Sequence, residues 1–215
     1  MSIVSHIESF YTSSWVSAIL LLLLLCLWGI LWARPQSVGL GFSMSVSMLE
    51  RRYNDNPHIL SWLLSLLFSA SVTALALYML YYEGGMFRPI ALFKLMLLVI
   101  LTKFVIDALM WLTGYVFSFL SEVHIGSEQR SLIWLAVSVV VFALVVVAAC
   151  RPMPILLKTG LALVAGLYEL AIGVKLFRVF FFKPLSALYI TLYWLTVELL
   201  PLVALWQTAG YIMKG

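Results

Sequence analysis

Six apolar stretches, each long enough to cross a hydrocarbon layer, alternate along this chain with links rich in charge, proline or glycine, of which 34–58 is the one long polar connection. A helix rises 1.5 Å per residue, so about 20 apolar residues cover the roughly 30 Å of a bilayer core. The runs fall at 14–33, 59–82, 88–120, 131–150, 155–178 and 184–209. The chain is 64% hydrophobic and only 10% charged, against about 45–50% and 25% in a soluble domain. One soluble core cannot bury that excess, so lipid has to act as the solvent. The expected fold is an all-α membrane protein: one integral domain over 1–215, a bundle of six transmembrane helices, with an interfacial segment after the first.

The first run is read as a membrane span and not as a signal peptide. It is longer than a typical signal core, no basic segment precedes it, and Leu31-Trp32-Ala33 makes a poor cleavage site. Trp15, Trp28 and Trp32 mark its interfacial ends, and Arg34-Pro35 stops it. The interfacial segment, 39–54, begins GLGFSMSVSM, with apolar residues at alternate positions. An isolated strand beside a membrane lacks a partner, so an amphipathic surface helix is expected there. The other reading is a strand that adds to a partner's sheet.

The net charge is +4. The bases sit mostly at the ends of apolar runs, which points to topology and anionic headgroups and not to nucleic acid. The connections after the first, third and fifth runs carry seven Lys or Arg, including Arg130, and the other side carries five. That excess predicts both termini outside the cytoplasm. Cys26 and Cys150 read as small core residues and not as a disulfide. The segment 121–130, SEVHIGSEQR, reads as a polar loop, and the uncharged fourth run reads as the most lipid-facing helix.

Two stripes suggest close helix contacts. Ser61, Ser65, Ser69 and Thr73 recur every four residues in the second run, and Ala162, Gly166 and Gly173 share a face with Glu169 in the fifth. Small and hydroxylated residues let membrane helices approach and hydrogen-bond.

The residues that could carry chemistry are charges at membrane depth. Lys103, Asp107, Glu169 and Glu198 lie near the centres of their runs. Each would cost about 2.5–3.5 kcal/mol alone in lipid. Four together would cost on the order of 10 kcal/mol, comparable to the whole stability of a domain. They are therefore expected to face one another in one cluster, Lys103 and Asp107 pairing across one helical turn. Pro201 frees the carbonyl of Val197 beside Glu198. Thr191 lies two turns before Glu198 on nearly the same face.

Enzyme signatures are missing: His6, His58 and His124 are all in polar segments, and there is no HExxH, nucleotide-binding glycine loop or G-x-S-x-G elbow. No catalytic residue, cofactor or metal is therefore expected.

The stretch Leu188-Tyr189 to Pro201 resembles the closing pattern of a family of small polytopic membrane proteins of Bacteroidota, catalogued as a domain of unknown function. In that pattern a Leu-Tyr helix runs into Glu, two apolar residues and Pro. Tyr193, Glu198 and Pro201 are the matching positions. Residues 93–117 match more weakly, as a basic apolar helix ending in Gly-aromatic-x-Phe. The resemblance covers about the last two thirds of the chain. It implies a Gram-negative inner membrane and supplies no activity.

The function expected on these grounds is that of a non-enzymatic inner-membrane scaffold or accessory component. Its partners would be lipid and other membrane proteins. A proton- or ion-coupled transporter using the buried carboxylates is the first alternative, with its substrate undefined. An intramembrane enzyme is the second.

Overall fold

A computed structural model describes residues 14–33, 59–81, 88–116, 120–150, 154–180 and 194–214. Apart from Arg88 these residues are all helical, and no strand occurs among them. The elements are α1 (Ser14–Ala33), α2 (Ile59–Tyr81), α3 (Pro89–Val116), α4 (Leu120–Cys150) and α5 (Pro154–Phe180), then a π-helical segment (Trp194–Leu199) that runs into α6 (Leu200–Lys214). Six helical spans are long and apolar enough to cross a membrane, the sixth combining the π segment with α6. The interfacial segment 39–54 and the start of the sixth run at 184–193 lie outside the described residues.

The ends of α1 fall where Ser14 and the Arg34-Pro35 pair put them. The largest departure from the sequence reading is in α4. The segment read as a polar loop is its first three turns, so the helix has 31 residues. Glu, Gln and Arg are good helix formers, and an established apolar helix extends through them without a second nucleation step. Arg130 thereby moves from a connection into the body of a helix.

The bundle is built around α2. More than half of its span, 56%, is buried, against 17% for α1 and for α5. It packs on α1, α3 and α4, and more lightly on α5 and α6. Every residue from Ser69 to Met79, apart from Ser71 and Thr73, is buried. Leu60, Trp62, Leu63 and Leu67 stay exposed before this half, whereas over it the helix is enclosed by its neighbours. Small residues make this possible: Ala70, Ala74 and Ala76 let neighbours close in. Phe68 fills the space toward α4, its ring 5.8 Å from that of Phe142 in an edge-on contact. The second most buried span is α4, at 39%. This corrects the expectation that α4 faces lipid: its lack of charge reflects burial against α2 and α5.

The contact between α4 and α5 is made by Leu157, Val164, Tyr168 and Ile172, with Gly160 as the close approach. A Cβ on Gly160 would lie 3.2 Å from a methyl of Leu144. The stripe expected to pack, Ala162, Gly166 and Gly173, is turned away from α4. Ala162 and Gly166 are exposed, and a Cβ on Gly166 or Gly173 would meet nothing within 4 Å. Among the described residues nothing closes on the stripe at Gly166 or Gly173, and the larger residues of α5 occupy the face that α4 covers.

At the other end of the bundle, Tyr78 and Tyr81 tie three elements together. The Tyr78 hydroxyl accepts the backbone N–H of Arg88 at 2.9 Å, ahead of α3. The Tyr81 hydroxyl donates to the carbonyl of Trp206 in α6 at 3.1 Å, and the two rings meet in a tilted contact, their centroids 5.5 Å apart. Both cysteines are free. Cys26 is half-buried against α2, whereas Cys150 is exposed, which corrects its reading as a core residue.

Candidate functional site

Lys103, Asp107, Arg130 and Glu169, charged residues within the apolar spans, occupy two stations beside α3 and α4. In the first, the Lys103 ammonium donates to both oxygens of Asp107, at 2.7 and 2.5 Å, one turn along α3. Both side chains are largely shielded, at 11% and 28% exposure. The order, base before acid, is the less favourable one for a helix pair in water. In a weakly screening environment the direct attraction outweighs that preference.

Beside this pair α2, α3 and α4 leave a cleft. Ser65, Ser69, Ser131 and the Lys103–Asp107 pair form its polar part, and Trp62, Phe104 and Trp134 are among its aromatic walls. Its volume is about 30 Å³, room for one or two water molecules and too little for an organic substrate. The serine stripe of α2 therefore faces charge as well as helix. Two of its hydroxyls do not reach across. Ser65 donates to the carbonyl of Ser61 and Thr73 to that of Ser69, each at 2.7 Å, within their own helix. The Ser69 hydroxyl is buried and has no hydrogen-bond partner in the protein among the described residues.

The second station joins α3, α4, α5 and the π segment around Ile106, Met110, Ile133, Ile172 and Val197. Glu169 accepts the indole N–H of Trp194 through Oε2 at 3.0 Å. Its Oε1 is buried and takes no hydrogen bond among the described residues. Arg130, only 4% exposed, places its guanidinium against Met110 Sδ at 3.3 Å and the Tyr168 hydroxyl at 3.5 Å. It is close enough to Glu169 for their opposite charges to interact. A buried guanidinium needs such neighbours, since a lone charge taken out of water costs several kcal/mol.

The π segment has a local cause. Pro201 supplies no N–H to the carbonyl of Val197. Widening the helix by one residue per turn lets a later amide serve the freed carbonyls. The wider turn carries Trp194 on the same segment as Val197, which is buried, and Pro201 is buried just beyond. The backbone of Glu198 lies in this segment; its side chain and all of Thr191 lie outside the described residues.

Of the predicted cluster, then, Lys103 and Asp107 pair with each other, and Glu169 sits at a separate station with Trp194 and near Arg130. Sequence reasoning did not single out Arg130, Tyr168 or Trp194. Arg130 was hidden by the loop reading. Tyr168 and Trp194 look like ordinary apolar-run residues, although Tyr168 adjoins Glu169 and Trp194 lies one turn before Glu198. Among the described residues no group of three His, Cys, Asp or Glu side chains could hold a metal ion.

No protein-family model matches the chain, and neither a curated protein nor a solved structure is similar enough to match it.

Proposed function

We propose that this chain is a multipass integral membrane protein that works without catalysis, as a packing component of a larger membrane assembly. The observation that carries this reading is the compensation of the Lys103–Asp107 pair within α3. Lys103 is neutralised by Asp107 on its own helix, and the cleft beside them is water-sized. Among the described residues the pair is compensated within its own helix, and the cleft beside it has no room for a cargo. The open face of α5, with Ala162 and Gly166 exposed, is the surface on which another membrane protein would pack. The resemblance at Tyr193, Glu198 and Pro201 points to the inner membrane of a Gram-negative bacterium. The bases on the connection after α1, Arg34, Arg51 and Arg52, favour a cytoplasmic location for that link and an outside location for both termini.

Purification in mild detergent, with mass spectrometry of what co-elutes, tests the reading. A reproducible membrane-protein partner is expected, and Gly166→Leu should release it. Recovery of the chain alone, at every detergent strength tried, would overturn the proposal.

Proton-coupled transport is the second reading. It is favoured by one observation, the unpartnered Oε1 of a carboxylate at membrane depth, Glu169. Glu169→Gln and Glu198→Gln in proteoliposomes separate the two. Loss of proton-linked flux with folding intact supports transport, and wild-type protein that moves no protons speaks for the packing role.

A further inference from the structure

Buried hydroxyls in these helices commonly bond back to a carbonyl of their own helix. Ser65, Thr73, Thr102 and Ser138 all do so, at 2.7 to 2.9 Å. Ser69 departs from the habit. It is 1% exposed, its Oγ has no partner in the protein among the described residues, and it lines the cleft beside the Lys103–Asp107 pair. A hydroxyl buried without a hydrogen bond costs more than a typical hydrogen bond contributes. The cleft supplies a remedy. It has room for one or two waters, and a water needs two to four polar partners. Ser69, Ser65, Ser131, Lys103 and Asp107 offer at least that many around one space.

We propose that this cleft is a hydration site, in which the Ser69 side chain turns toward the cleft and water joins its hydroxyl to the Lys103–Asp107 pair. The bound water completes the hydrogen bonding of α2 and solvates the ion pair. Lys103 Nζ carries three N–H groups, and a carboxylate accepts about four hydrogen bonds. Trp62 and Phe104, half exposed on the outer surface, line the cleft on that side. The site does not depend on whether the molecule packs in an assembly or moves protons.

The test uses the full chain in lipid nanodiscs. Water-edited solid-state NMR of the wild type should show rapid magnetisation transfer from water to Ser69 and Asp107, at depths where lipid-facing residues such as Leu101 show none. Ser69→Ala should abolish that transfer and shift the unfolding equilibrium roughly fivefold toward the unfolded state. Ser138→Ala, whose hydroxyl bonds Trp134 within α4, is the control and should leave the transfer at the cleft unchanged. Absence of water transfer in the wild type would overturn the proposal without need of a variant. So would a Ser69→Ala protein as stable as the wild type or more so, the result expected when a dry, unsatisfied hydroxyl is removed.

Discussion

The two charged stations solve the same physical problem in opposite ways. Lys103 and Asp107 lie on one helix, four residues apart, so their attraction is satisfied before any neighbour arrives. Glu169 finds its hydrogen bond on another element, the indole of Trp194, and its nearby opposite charge on a third, Arg130 of α4. A pair closed within a helix lowers the cost of inserting that helix and says little about packing. A bond between helices costs more until the bundle forms, and then it selects one arrangement. The first station therefore reads as insulation, and the second as a latch between α4, α5 and the π segment.

Substitutions break this comparison in a definite order. Lys103→Met leaves Asp107 as a lone buried charge and should cost about 3–5 kcal/mol. Adding Asp107→Leu should recover most of that loss. Unfolding in nanodiscs measures both, and a double variant as weak as the single one would show that the pair binds something beyond itself. Trp194→Phe removes a hydrogen bond to a charged group and should cost about 2–3 kcal/mol. Its effect should be much smaller when Glu169→Gln is already present, which a double-mutant cycle reads directly. At the α4–α5 contact, Gly160→Leu should cost about 1–2 kcal/mol by overpacking against Leu144. Gly166→Leu, with nothing within 4 Å, should stay within about 0.5 kcal/mol for the isolated chain. The topology has its own check. An impermeant thiol reagent applied to intact cells should label the exposed Cys150, at the end of α4, and spare the half-buried Cys26. Labelling of Cys150 only in inverted vesicles would reverse the proposed orientation.

Much of the fold was legible in the chain because lipid imposes a length. The ends of α1 and the existence of six spans follow from apolar runs and their stops. The Lys103–Asp107 pair was legible too, since a four-residue spacing brings side chains together on any helix. Arg130 was not legible, because a polar segment gives the same signal whether it forms a loop or continues a helix out of the apolar layer. Nor was the role of Gly160. The sequence offers several glycines on α5, and which one meets a neighbour depends on how that helix is rotated.

The sequence by itself determined where six apolar spans lie and which charges must be compensated. Only the tertiary structure decided that α2 is the centre, that α4 is buried instead of lipid-facing, and that Glu169 sits with Trp194 and Arg130 and not with Lys103. The physical reason is the solvent. A lipid tail and a leucine side chain are equally apolar, so a membrane helix carries no hydrophobic stripe to say which face meets protein.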